Sequence, residues 1–268
     1  MSRWNEKLQG SGMTERLPAA PRESTPARLH RLWRDHSLPQ LLGKGSAALW
    51  RWLFYRPWPL QWFYRPWLYL TRTPRTFRFE GAELRYFYHA YNTTWNVERQ
   101  VEVPIARHYL ARFADGAVLE VGNVLAHYLH APRTVVDKFE TAPGVINVDI
   151  LDYRPATRFS LVLAISTLEH VGWDDEPRDP ARAVAAIRHL AALLAPGGLL
   201  LATLPVGYNP ELDRLALAGE LPFDRIVWLK RVTASQWREA SAGEALACRY
   251  GTPFNAANAI AVGLVQRP

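Results

Sequence analysis

The chain predicts an α/β domain whose mostly parallel sheet is covered by helices on both faces, and three observations carry that reading. The run Val118-Leu-Glu-Val121 leads into Glu120-Val-Gly122, so an apolar strand closes on an acid and a glycine. Two β-branched runs follow, Thr134-Val-Val-Asp137 and Val145-Ile-Asn-Val-Asp149, and each also closes on an acid. Beyond them, apolar runs alternate with helical segments, the pattern made by right-handed β-α-β crossovers. Ligands of such sheets sit beyond the carboxyl ends of the strands, where these acids fall.

Taken in order, residues 1–45 are Pro-, Ser- and Arg-rich and read as a disordered or loosely helical basic arm. Residues 1–78 hold fourteen Lys or Arg and four Asp or Glu, a net of +10, against eighteen and twenty-one in residues 79–268, a net of −3; the chain's +7 therefore originates at its front. Residues 46–76 form a second segment, rich in Trp and Arg, in which Phe54-Tyr-Arg-Pro-Trp58 returns as Phe63-Tyr-Arg-Pro-Trp67. Rings interleaved with arginine across residues 47–70 suit the headgroup level of a membrane or the surface of a protein partner. They equally suit an edge of the domain or an oligomer contact, and no motif specifies the oligomeric state. Pro57, Pro59, Pro66 and the arginines argue against a spanning helix. Nucleic acid is the weaker reading, since no base-reading module accompanies the basic charge. Residues 1–30 lack the apolar core of a signal peptide, and the lone Cys248 excludes an internal disulfide, in keeping with a reducing cytoplasm. No histidine or cysteine spacing reads as a metal site.

From residue 77 onward lies the main domain. Phe77–Phe79 and Leu84–Tyr88 flank Glu80-Gly81 as a hairpin whose rings, with Tyr91–Trp95, are placed to wall a substrate pocket. Asn96–Phe113 reads as a helix, interrupted or restarted at Pro104, with Val101, Ile105, Tyr109 and Phe113 on one face. Its Glu98, Arg99 and Glu102 either face the site or make a solvated, ion-paired surface. Phe159–Ile165 is the next strand. A helix then begins with Asp179 as cap and Pro180 in its first turn, carries Val184, Ile187, Ala191 and Leu194 as its stripe, and stops at Pro196-Gly-Gly198. Leu199–Leu204 is a strand, Tyr208–Trp237 a lid or substrate insertion, and Asn255 and Asn258 near the end are placed to reach a ligand.

Over residues 95–265 these phrases resemble the class I S-adenosylmethionine-dependent methyltransferases. The resemblance implies a Rossmann-like, doubly wound, mostly parallel seven-stranded sheet and S-adenosylmethionine as cofactor. It places Glu120 and Gly122, with Asn123 after them, beside the methionine part. Asp137, with Lys138, takes the ribose hydroxyls, Asp149 and Ile150 the adenine, and Ser166 the loop after the fourth strand. Glu120-Val-Gly-Asn-Val-Leu-Ala-His-Tyr128 and Ser166-Thr-Leu-Glu-His-Val-Gly-Trp-Asp174 are similar to a little-characterised branch linked to glycan and cell-envelope pathways. The acceptor implied is a small molecule, a glycan or a lipid-linked group, and the location the cytoplasm, peripheral at the inner membrane face. Two departures stand out. Asn123, Val124, Leu125 and Ala126 replace further glycines, and Ser160 stands where an acid often opens the fourth strand. A hydroxyl acceptor needs a base, and His127 and His170 are the candidates at the ligand edge; Glu169, Asp174 and Tyr208 are weaker ones. The competing reading is a non-catalytic adaptor that keeps the sheet and holds a membrane or protein partner through its front segment.

Overall fold

The computed structural model describes residue 70 and residues 75–89 and 91–268. The predicted arm 1–45 and the segment 46–76, apart from Leu70, Arg75 and Thr76, lie outside the described residues. Strands β1 (Thr76–Phe79) and β2 (Ala82–Arg85) form the expected antiparallel hairpin. Its two-residue turn puts Glu80 at φ 50° and Gly81 at φ 79°, the left-handed pair that matches the twist of the flanking strands. Buried Phe77 and Phe79 anchor the hairpin inward. Glu80 accepts from the Tyr109 hydroxyl at 2.6 Å and pairs with Arg225 at 2.8 Å.

Helix α1 (Arg99–Arg112) runs unbroken through Pro104 and is preceded by a 3-10 segment, Tyr91–Asn96. Val101, Ile105 and Tyr109 are buried as predicted. The main sheet follows, in spatial order β5 (Val145–Ile146), β4 (Thr134–Val136), β3 (Val118–Val121), β6 (Phe159–Ile165), β7 (Leu194–Pro205), β10 (Ala259–Gln266), β8 (Arg225–Thr233) and β9 (Gln236–Ala240). The first five strands are parallel, and β10 enters antiparallel between β7 and β8.

Adjacent residues of β6 face opposite cores. Leu161, Leu163 and Ile165 pack with Val101, Ile105 and Tyr109 of α1. Val162 and Ala164 pack with Ala183, Ala186, Ile187 and Leu190 of α2 (Ala181–Ala192). Helix α3 (Pro210–Ala218) buries Leu212 and α4 (Ala242–Leu246) buries Ala245 in that same second core. A strand buried on both faces needs this apolar run, because neither face meets water.

Several expectations are corrected. The sheet has eight strands, not seven, because β9 adds an edge through its hairpin with β8. The crossover from β6 to β7 carries the α-helix as predicted, whereas the connection between β3 and β4 holds a 3-10 turn, Leu125–His127, before Pro132. The buried face of α2 is Ala183, Ala186, Ile187 and Leu190, while Leu194 already belongs to β7, which runs through Pro196-Gly-Gly198. Asp179 does accept from the Ala181 amide at 3.1 Å. The stretch Tyr208–Trp237 is not a lid but holds α3 and β8, whose Arg225–Lys230 pairs with β10 within the sheet.

Leu163 is fully buried at the centre of β6. Leu163→Ala is expected to lower the free energy of unfolding by about 2–5 kcal/mol, because both the transferred surface and the cavity left behind count against the fold. Leu217→Ala, on the exposed face of α3, should change it by no more than about 0.5 kcal/mol. Urea titrations of the two variants make the comparison.

Candidate functional site

At the carboxyl ends of β3, β4 and β6 opens a cavity of about 310 Å³. Gly122, just past β3, sits at φ +80°, and a Cβ there would lie 2.3 Å from the Thr167 hydroxyl oxygen. Glycine is therefore required both by the backbone angle and by the closeness of the β6 loop. Its amide donates to Val136 O at 2.8 Å, which closes the turn onto β4.

Of the residues singled out from sequence, Gly122, Asn123, Asp137, Lys138, Asp149, Ile150, Ser166 and His170 all line this cavity. Asp137 Oδ2 accepts from the Asn123 amide at 3.0 Å, and Oδ1 from the Phe139 and Glu140 amides at 2.8 and 2.7 Å. Three amide bonds fix the carboxylate in place and leave it acceptor capacity toward the cavity. Asn123 Nδ2 donates to Glu140 at 2.8 Å, whereas its buried Oδ1 has no hydrogen-bond partner. Asp149 is braced by Arg182 at 2.7 Å and Lys138 at 3.2 Å. Burial works against its ionisation, but the Leu151 amide, Lys138 and Arg182 hold its carboxyl below the usual range.

Two of the predicted residues stand elsewhere. Glu120 does not line the cavity. It is fully buried beneath the loop, where it accepts from the Leu125 amide at 2.5 Å and pairs with Arg133. Burial pushes its carboxyl up and outweighs the lowering by Arg133. His127 is also outside the lining: its ring stacks on Tyr91 at 4.4 Å, and Nε2 lies 3.3 Å from Glu140. Phe87 and Tyr88 of the hairpin segment line a separate groove of about 560 Å³ against α1, rather than this cavity. Asn258 is spent on the backbone carbonyls of Arg249, Phe254 and Ala256, and the Asn255 carbonyl accepts from Arg231.

His170 lies at the cavity wall with Nδ1 2.6 Å from Asp174. The Tyr208 hydroxyl donates to the same carboxylate at 3.0 Å, and its ring packs edge-on to the imidazole at 4.6 Å. With the Nδ1 proton turned to Asp174, Nε2 is the free acceptor.

Behind this wall is a buried charged group that sequence spacing left between two readings. Glu102 is fully buried and accepts at 2.6 Å from both Ser166 Oγ and Thr203 Oγ1, while pairing with Arg99. Ser166 has φ 41°, a left-handed conformation that a residue with a Cβ rarely adopts. Its amide donates to the Thr203 hydroxyl at 2.9 Å and the Thr203 carbonyl at 3.1 Å, so with Glu102 three groups hold the strained turn that ends β6. Glu98 lies 3.8 Å from Arg99 and accepts from the Ala257 amide at 3.1 Å. Glu169 is 2% exposed, and its Oε2 has no hydrogen-bond partner. Burial drives its carboxyl well above the usual range, reinforced by Glu102 and Glu98 and opposed by Arg99.

No protein-family model and no curated protein sequence matches the chain. Among solved structures it is similar to N-methyltransferase NodS from Bradyrhizobium japonicum WM9 in complex with S-adenosyl-L-homocysteine, at 17% identity over 64% of this chain and 87% of that one, with a TM-score of 0.40. It is similar, too, to the 1,6-didemethyltoxoflavin-N1-methyltransferase of Burkholderia thailandensis with 1,6-didemethyltoxoflavin and S-adenosylhomocysteine bound, at 17%, 67%, 83% and 0.40 in the same order. A SAM-dependent methyltransferase from Archaeoglobus fulgidus gives 15%, 62%, 93% and 0.39. At these identities and scores the likeness carries neither ligand nor residue roles to this chain.

Because Glu169 is pushed up on folding, the folded state holds a proton that the unfolded chain releases from about pH 4.3 upward. Its contribution is complete below that value and is lost as pH rises toward the folded-state value. Glu169→Gln, which mimics the protonated form, should therefore gain stability relative to the parent as pH rises, with a constant difference at acid pH. Urea midpoints measured across the pH range test this; a difference that does not change with pH contradicts it.

Proposed function

We propose that the chain is an S-adenosylmethionine-dependent methyltransferase acting on a small acceptor. The charge of the cavity carries the reading. Asp137, Glu140, Asp149, Asp174 and Asp175 line it, with Lys138 as the one lysine or arginine among its lining residues. A nucleotide polyphosphate would be repelled by such a wall, and no run of glycine amides is present to cradle phosphate. A nucleoside that carries positive charge and no phosphate suits it.

The residues fit that ligand in three further ways. Asp137 is an acceptor set for ribose hydroxyls. Asn123 Oδ1, buried and unpartnered, asks for a donor such as a hydroxyl or an ammonium. Val148, Ile150 and the exposed Phe139 offer apolar surface to a flat base. Val124 shares the lining where other members of the resembled family carry glycine, and narrows that end.

Bound there, S-adenosylmethionine supplies a methyl group on a positively charged sulfur, so the protein's task is to position and to manage protons. Gly122 and Ser166 keep the loops after β3 and β6 close together. His170, oriented by Asp174, takes the proton an acceptor releases and passes it to solvent through its exposed edge. His127, held away by Tyr91 and Glu140, serves as a support of the loop. Among the described residues no helix is long and apolar enough to cross a membrane. Attachment to a membrane face would involve residues 47–70.

Calorimetric titration with S-adenosylmethionine and S-adenosylhomocysteine tests the proposal, with Asp137→Ala as control. Saturable binding of both, weakened at least about tenfold in Asp137→Ala by the loss of about 1.4 kcal/mol or more of hydrogen bonding, is the expected result, with no binding of ATP. A folded protein that binds neither ligand would sink it and leave the adaptor reading.

A further inference from the structure

We propose that the acceptor of this methyltransferase site is an amine that arrives as a cation, received by the Glu169 carboxylate between Glu98, Glu102 and the rings of His170, Tyr208 and Tyr250. The proposal rests on the methyltransferase reading and names its substrate class.

Glu98, Glu102 and Glu169 are all buried, and Arg99 is the one cation among them. Arg99 is committed to Glu102, whose remaining oxygen is taken by Ser166 and Thr203. Glu98 has the Ala257 amide. Glu169 has neither: its Oε2 is buried without a partner, although its carboxyl faces the charges of Glu102, Arg99 and Glu98. A buried carboxyl left in this state costs free energy unless a ligand completes it. Burial favours the protonated form of this carboxyl; an arriving cation favours the ionised form, so the proton leaves to solvent as the ion pair and its hydrogen bond form, whereas an alcohol supplies only the bond.

The position is suited to chemistry. Glu169 Oε1 lies 3.7 Å from His170 Nε2, and His170 itself forms part of the cavity wall. The ring of Tyr208 packs against both His170, at 4.6 Å, and Tyr250, at 5.5 Å. Burial drives the Tyr208 and Tyr250 hydroxyls up to about 12, so both rings stay neutral beside the carboxylates. In the reaction the ammonium gives one proton to His170 Nε2, and the freed nitrogen lone pair attacks the methyl carbon. The N–C bond forms, the C–S bond breaks, and its electron pair remains on sulfur as a neutral thioether. The methylated product carries the positive charge away, and His170 returns its proton to solvent.

The test titrates the full chain, saturated with S-adenosylhomocysteine, with amines paired to alcohols of the same skeleton: ethylamine with ethanol, 2-phenylethylamine with 2-phenylethanol, glucosamine with glucose. At least one amine is expected to bind ten or more times more tightly than its alcohol, and Glu169→Gln to erase that preference while S-adenosylhomocysteine binds as before. A panel in which no amine exceeds its alcohol overturns the proposal, as does a preference that survives Glu169→Gln. Failure of S-adenosylhomocysteine itself to bind the parent would instead count against the methyltransferase reading on which the proposal stands.

Discussion

A single buried carboxylate ties the site to the fold. Glu102, on α1, accepts from Ser166 at the end of β6 and from Thr203 near the end of β7, and neutralises Arg99 on its own helix. The helix that covers one face of the sheet is thereby fastened to the two central strands at the edge where ligands bind. Without it, the left-handed turn at Ser166 would lose one of the groups that hold it, and Arg99 would lose its hydrogen-bonded partner. Removing one member of such a buried pair is worth about 3–5 kcal/mol against the fold. The cluster is therefore a structural clamp and, on the proposal above, the back wall of the acceptor region.

Charge then selects what the clamp can serve. The cavity is walled by carboxylates, two of them stiffened by Lys138 and Arg182, and the space behind it holds further acid than base. A Rossmann-like sheet is compatible with dinucleotides, nucleoside phosphates and phosphate-free nucleosides alike. Here the side chains decide, because an acidic wall without a glycine nest disfavours phosphate. The same sign of charge that suits the proposed sulfonium cofactor would suit the proposed cationic acceptor, so both would be drawn to one electrostatic sink.

Local signals were read well from sequence, and distant ones were not. β6 was located to the residue because an apolar run buried on both faces is a local property. Gly122 was found because a glycine closing a strand next to an acid is a contiguous pattern, and the turn at Glu80-Gly81 for a similar reason. The connection after β3 carries only the Leu125–His127 turn before Pro132, and no periodic pattern in the sequence marks an element there. Glu120 looked like a ligand residue because of its place in the motif. Its partner Arg133 is thirteen positions on, in a loop without regular pattern, and turns it into the support of that loop. For Glu102 the sequence offers a site-facing or a solvated, ion-paired role but not its burial, since Ser166 and Thr203 lie 64 and 101 positions away. Such contacts exist only once the sheet has formed. The solitary state of Glu169 belongs to the same class: nothing in Leu168-Glu-His170 announces that one oxygen ends without a partner.

The central claim is that this acidic cavity is a site for S-adenosylmethionine, and a crystal structure of the chain grown with S-adenosylhomocysteine tests it most directly. The account predicts the ligand within the cavity of β3, β4 and β6, with its hydroxyls within hydrogen-bonding distance of Asp137 and a donor on Asn123 Oδ1. A well-ordered structure with the ligand absent from that cavity, or bound through other residues, would contradict it.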